Sequence, residues 1–276
     1  KIIEKPFYVY KPEVLKRTIL NFRKKFNGKT IYAIKANPSS FILKQLLKHG
    51  INSFDVASLN EVRIIKKICS NTNLYFMNPI KSRKSISDSY FKYGVKNFAL
   101  DSEAELKKIL EQTKFAKDLN LHLRISIPNT YARLKIEKKF GVEPSLSDKL
   151  LRKLFFYAKK IGICFHVGSQ CVSPQAYRIG LKISKRLIEK ATYKIDYLNV
   201  GGGFPVIYSP RKKNILNNYF SVINEEFSKI KNYQKISLLS EPGRCLVADC
   251  LSLIVRVELR KSQKLYINEG VHGFLY

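Results

Sequence analysis

Tyr32-Ala33-Ile34-Lys35-Ala36-Asn37-Pro38 is the stretch whose reading decides the fold. It reads as a short strand closing on one lysine, with a helix following at once. In an extended chain Ile31, Ala33 and Lys35 share one face, and Tyr32 and Ile34 the other. If the bulky face packs on helices, Lys35 points inward at the strand's C-terminal end. A lysine in such a low-dielectric place has a depressed pKa and can form a Schiff base. Lys and Arg number 51 among 276 residues, so one lysine gains meaning only from its surroundings.

The same strand–helix unit repeats outward from that stretch. Before it, Lys1 to Tyr10 reads as a strand and Pro12 opens a helix to about Phe26. After it, Ser39 or Ser40 caps a helix with apolar positions Ile42, Leu43, Leu46 and Leu47, which Gly50 ends. Strands follow at Ser53–Ala57, Leu74–Met77, Asn97–Leu100, Leu121–Ile127, Ile163–Val167, Ile195–Val200 and Ile236–Ser240. Ser58 with Glu61 and Ser102 with Glu105 form capping boxes for two of the intervening helices. About eight alternations over this length predict an α/β fold, a TIM (β/α)8 barrel. Past Arg244 the pattern changes to strands without helices, Leu251–Leu259 and Leu265–Asn268. We therefore divide the chain into an N-terminal strand and first helix (1–26), a barrel (27–247) and the start of a β domain (248–276). The N-terminal strand is free to join that last part, which stops short of a complete domain.

Composition bounds the function. Hydrophobic residues make up 45% of the chain, enough for a full core. No apolar run is long enough to span a membrane, and no signal peptide is visible. The five cysteines show no CxxC pairing, which fits reduced thiols in a cytoplasmic protein, and no metal-ligand spacing is present. The formal charge of +30 is spread over nearly every predicted helix, without a nucleic-acid motif. It predicts weak, salt-sensitive contact with polyanions rather than a specific nucleic-acid site.

Strand faces carry the functional argument. Leu121, Leu123, Ile125 and Ile127 oppose His122, Arg124 and Ser126; Ile163, Phe165 and Val167 oppose Cys164, His166 and Gly168; Phe54 and Val56 oppose Ser53, Asp55 and Ala57. With the apolar faces against a helix ring, Lys35, Asp55, Arg124, His166 and Glu241 converge at the barrel mouth, where active sites of this fold sit. Gathering charges there without a ligand costs several kcal/mol each, on the order given for buried ions. Gly201-Gly202-Gly203 and Gly243-Arg244 follow the last two strands, where barrels commonly hold phosphate. Arg244 adds a charge-assisted contact. An inward lysine opposite a phosphate site points to pyridoxal phosphate, with Glu241 beside the pyridine nitrogen.

Five motifs in order, Tyr-Ala-Ile-Lys-Ala-Asn, Phe-Asp-Val-Ala-Ser, Phe-His-Val-Gly-Ser-Gln, Val-Gly-Gly-Gly-Phe-Pro and Glu-Pro-Gly-Arg, resemble the fold-type III pyridoxal-phosphate decarboxylases. Phe204-Pro205 and Asn268-Glu269-Gly270-Val271-His272-Gly273 look most like the ornithine decarboxylases and their lysine-accepting relatives. The resemblance implies a barrel of the alanine-racemase type and a homodimer with shared active sites. It further implies loss of the α-carboxylate of ornithine or lysine to give a diamine, a step of polyamine biosynthesis. By that resemblance Lys35 holds the cofactor, His166 lies on its ring and Glu241 pairs with its nitrogen. Ser169, Gly203, Gly243 and Arg244 hold its phosphate, and Asp55, Glu61, Arg124 and Gly202 line its site. Glu61 also has a sufficient structural role as half of a capping box.

Three departures bear on this. Relatives usually carry Asp where Glu269 stands, as the contact for the substrate's distal amine. Asn199 replaces a usual Asp before the glycines, which we expect to matter less. No Cys-Asp pair follows Glu269, although the family's second domain uses one to complete the partner's site. The alternatives are therefore a diaminopimelate decarboxylase and a non-catalytic, cofactor-binding relative. An amino-acid racemase is disfavoured by Glu241, because that reaction does better with a weaker electron sink.

Overall fold

The computed structural model describes residues 4–128, 130–134, 139–208, 215–270 and 272–273. Strand β1 (Phe7–Tyr10) leads into helix α1 (Pro12–Lys25). That helix starts on Pro12, carries Glu13 in its first turn and ends on Arg23, Lys24 and Lys25, charges that complement its dipole. Next come β2 (Lys29–Thr30), β3 (Tyr32–Ala33), α2 (Ser40–Lys48), β4 (Ser53–Val56), α3 (Leu59–Ile68) and β5 (Asn73–Phe76). They are followed by α4 (Arg83–Phe91), β6 (Asn97–Leu100), α5 (Glu103–Gln112), β7 (Asn120–Arg124), β8 (Ala132–Leu134) and α6 (Pro144–Tyr157). The last third holds β9 (Lys160–Cys164), β10 (Ser169–Cys171), α7 (Gln175–Lys190), β11 (Tyr197–Asn199), α8 (Leu216–Ser228) and β12 (Ser237–Ser240). A short helix α9 (Arg244–Val247) precedes β13 (Leu251–Ile254), β14 (Val257–Lys261) and β15 (Lys264–Ile267).

Nine strands form one parallel sheet in the order β2-β12-β11-β9-β7-β6-β5-β4-β3. Its two ends, β2 and β3, are halves of one extended segment. Ile31 between them donates to the Ser240 carbonyl at 2.8 Å, while Tyr32 pairs with Phe54 of β4. The sheet thus closes on itself as the expected eight-position barrel. Alternation fixes what lies on each side. Tyr32, Phe54, Val56, Phe76, Phe98, Leu121, Leu123, Ile163 and Phe165 face the helix ring. Ile31, Tyr75, Met77, Ala99, Cys164 and Leu239 fill the interior. Each large buried apolar side chain contributes about 1.5–3 kcal/mol. Gly180 of α7 lets that helix close on Phe165, because a Cβ there would stand 2.5 Å from the ring.

The structure corrects several boundaries. The strand before Lys35 ends at Ala33, and residues 34–36 form a 3₁₀ turn. Ser102 caps α5 by accepting from the Glu105 N–H at 3.3 Å. The Glu105 carboxylate does not complete the box; it accepts from the Lys81 N–H at 3.1 Å and pairs with the Lys81 ammonium. Residues 1–3 of the expected first strand lie outside the described residues. Past the barrel, β1 pairs antiparallel with β13, Phe7 opposite Ile254, and β14 pairs with β15 as a hairpin. Among the described residues no helix is long and apolar enough to cross a membrane.

Candidate active site

A cleft of about 1040 Å³ opens at the C-terminal ends of the barrel strands. Lys35, Asp55, Arg124, His166 and Glu241 line it together, the convergence expected from the sequence, although Lys35, His166 and Glu241 stand just past their strands. Ser169, Gly202, Gly203, Gly243 and Arg244 line its other wall. Two expected residues stand apart. Glu61 is not in the lining: its Oε2 accepts from the Ala57 N–H at 2.6 Å, behind the wall. Glu269 lies beyond the β14–β15 hairpin, where its Oε1 accepts from the Gly270 N–H. Lys35 corrects the expected setting as well. On its 3₁₀ turn it is exposed to the cleft rather than enclosed in a low-dielectric place.

Asp55 ends up inside because β4 alternates Phe54 and Val56 outward, and Glu241 follows directly on β12. Both carboxyls are buried, 4% and 8% exposed, and their interaction decides the site's electrostatics. Glu241 is pushed up to about 8, first by burial and then by Asp55; Lys35, Arg124 and a hydrogen bond from Asn199 oppose the rise. Burial also raises Asp55, against the pull of Lys35, Arg124 and the Met77 N–H. Asp55 Oδ1 has no hydrogen-bond partner among the described residues. Burial drives His166 well below the usual histidine range, aided by Arg124 and Lys35, so its imidazole is neutral near pH 7. Its Nδ1 accepts from the Gly168 N–H at 3.0 Å, which leaves the proton on Nε2.

The glycine turn is shaped by contacts that no Cβ would permit. Gly201 and Gly203 hold φ of +69° and +93°. A Cβ on Gly202 would stand 2.5 Å from the Glu241 carbonyl oxygen. Tyr177 of α7 donates to the Gly202 carbonyl at 2.8 Å, and its ring stacks on Phe204 at 5.1 Å. Gly243 packs where a Cβ would meet Ala36 at 2.8 Å, which brings Arg244 alongside the Lys35 turn.

Residues 13–248 match the model of a family described as pyridoxal-dependent decarboxylase, pyridoxal binding domain. The chain belongs to that family. It is 31% identical to a lysine/ornithine decarboxylase of Selenomonas ruminantium, over 88% of this chain and 62% of that protein. It is also 31% identical to a diaminopimelate decarboxylase of Campylobacter jejuni, over 94% of this chain and 67% of that protein. A crystal structure of lysine decarboxylase from Selenomonas ruminantium superposes with a TM-score of 0.85 at 27% identity, covering 98% of this chain and 72% of that one. The chain spans less than two thirds of the length of the lysine/ornithine decarboxylase.

The cleft of this decarboxylase-family chain fits pyridoxal phosphate. The fit rests on an amine at its mouth, two glycine cradles beside an arginine, and an orphaned carboxylate oxygen against a protonatable Glu241. Sequence reasoning missed several residues of the site. Asn199 stands out in the sequence only as a departure from a usual Asp, and Tyr177 and Phe140, the latter 5.2 Å from the Arg124 guanidinium, carry no motif that marks them. Gln170 closes the Phe-His-Val-Gly-Ser-Gln motif. It takes φ +51° and bonds Val206 through both ends of its amide, pinning the segment after the glycines. Its place in Gly168-Ser169-Gln170 was the available signal.

Proposed function

We propose that this chain forms the cofactor-binding part of a pyridoxal-phosphate-dependent decarboxylase that turns ornithine or lysine into a diamine. The observation that carries the reading is the convergence of Lys35, Glu241 and both glycine turns on one cleft. When bound, the cofactor supplies an electron sink for the pair of electrons left as the carboxylate departs. Lys35 would hold it through its amine, which is free to reach the cleft from the 3₁₀ turn. Ser169, Gly202, Gly203, Gly243 and Arg244 would hold the phosphate, offering N–H groups and one guanidinium. Neutral His166 and the side chains of Asp55 and Arg124 would hold the ring. Glu241 gives up its proton when a base is set against it, and as a carboxylate keeps that base protonated. Glu61 supports the site from behind, through the Ala57 N–H. Glu269 enters as the contact for the distal amine only if the segment carrying it closes over the cleft.

The proposal extends to the setting of the site. We assign 1–26, 27–247 and 248–276 as N-terminal strand and helix, barrel, and β-domain part, on the support of the β1–β13 pairing. A homodimer with shared sites and a cytoplasmic location complete the reading, the latter supported by five unpaired cysteines. The test is a visible spectrum after adding pyridoxal phosphate, with Lys35→Ala alongside. A Schiff-base band in the parent, absent in the variant, is expected, followed by carbon dioxide release from ornithine or lysine. Release only from diaminopimelate moves the chain to that branch, and a missing band in the parent overturns the reading.

A further inference from the structure

We propose that Asn199 is a positioning residue that holds Glu241 with Oε1 as a hydrogen-bond acceptor and so favours its carboxylate form. The proposal rests on the reading of Glu241 as the partner of the cofactor's ring nitrogen. Asn199 ends β11 with no exposed surface. Its Oδ1 accepts from the Gly201 N–H at 2.9 Å, and its Nδ2 donates to Glu241 Oε1 at 2.6 Å. The first bond fixes the direction of the amide. Turned over, its NH₂ would confront the Gly201 N–H, donor against donor. The group facing Oε1 is therefore a donor. A proton on Glu241 is excluded from Oε1 and confined to Oε2, and donation to the ionised form is the stronger bond.

The other groups around Glu241 act by charge. Asp55 from β4 opposes its ionisation; Lys35 from the 3₁₀ turn and Arg124 from β7 favour it. The Cys164 thiol from β9 lies close enough to be raised by Glu241. His166, neutral near pH 7, is a further titratable neighbour across Gly202. Asn199 acts on Glu241 by direct hydrogen bonding. It also joins two parts of the site, because the Glu241 N–H donates to the Gly201 carbonyl at 2.8 Å. One amide thus ties the carboxylate to the turn that would take the phosphate.

Asn199→Asp separates the two bonds. It keeps an acceptor for Gly201 and removes the donor to Glu241, leaving two carboxyl oxygens to share a proton. The experiment is a pH titration of the Glu241 side-chain carboxyl by ¹³C NMR in the full chain, assigned with Glu241→Gln, with and without pyridoxal phosphate. Asn199→Asp is expected to raise the Glu241 midpoint by about one pH unit or more, a tenfold change in acid dissociation. With cofactor, the pH midpoint of the visible band should follow, and in a Glu241→Gln background Asn199→Asp should leave the band unmoved. An unchanged Glu241 midpoint, or a band shift that persists without Glu241, overturns the proposal. If the variant fails to fold, the parent decides: the Asn199 side-chain amide signals must titrate with Glu241, and flat signals overturn it. A Glu241 shift with no cofactor band supports the hold of Asn199 and overturns the cofactor reading alone.

Discussion

The barrel interior holds two buried titratable layers that behave in opposite ways. Near its N-terminal end, His122 is fully buried, stacked on Tyr197 at 5.2 Å and edge-on to Tyr75 at 6.0 Å. Neither ring nitrogen has a partner among the described residues, and burial alone pulls its pKa to about 4. At the C-terminal end, Asp55 and Glu241 are raised by burial and held against Lys35 and Arg124. The lower layer is neutral and acts as packing; the upper layer keeps a proton under tension between charges. Burial shifts a pKa in either place, but only opposed charges make a site that answers a ligand.

The strongest break in this comparison is Lys35→Ala. It removes the amine of the upper layer, and we expect complete loss of the cofactor band and of decarboxylation, read by spectrum and carbon dioxide release. Next is a third kind of buried group. Lys81 is wholly enclosed, paired with Glu105 at 3.1 Å and donating to the carbonyls of Asn78, Pro79 and Ala99. Its pKa falls only to about 8, so it is charged near neutrality without facing the cleft. Lys81→Met leaves Glu105 short of a partner and should cost about 3–5 kcal/mol in urea unfolding, with little change in the cofactor band of the folded fraction.

The two layers should also give stability slopes of opposite sign. In the cofactor-free chain Glu241 keeps its proton to about pH 8, whereas an unfolded chain releases it near the ordinary 4.5. The folded state then binds more protons through that window, so stability falls as pH rises from 4.5 to 8. Glu241→Gln should flatten this slope in thermal melts. His122 does the reverse. The unfolded chain takes up a proton near 6.5 and the folded chain only near 4, so stability falls as pH drops through that range. His122→Leu should be within about 1 kcal/mol of the parent at pH 8 and gain about 2 kcal/mol on it at pH 5. An unaltered acid slope in that variant would remove the lower layer from the comparison.

Much of this was legible in the residues. The alternation of Phe54 and Val56 against Asp55, and of Leu121 and Leu123 against His122 and Arg124, named the inward groups correctly. Position along the strand separates groups that share a face. His122 and Arg124 share a face two residues apart, yet one packs the base and the other lines the cleft. The strand expected to end on Lys35 ends at Ala33, because Ile34 suits a strand as well as the 3₁₀ turn it adopts. Glu61 and Glu105 both followed a capping serine. Glu61 reaches back to the helix entrance, whereas Glu105 turns to Lys81, which no spacing within α5 reveals.

The sequence by itself determined the barrel, the inward set of Lys35, Asp55, Arg124, His166 and Glu241, and the two glycine turns, because side-chain period and backbone freedom are local properties. Tertiary structure alone decided which of those groups meet. Asn199 and Glu241 are 42 residues apart, and their bond exists because β11 and β12 are neighbours in a closed sheet. Desolvation and opposition of charge depend on that neighbourhood, and they set the protonation of the site.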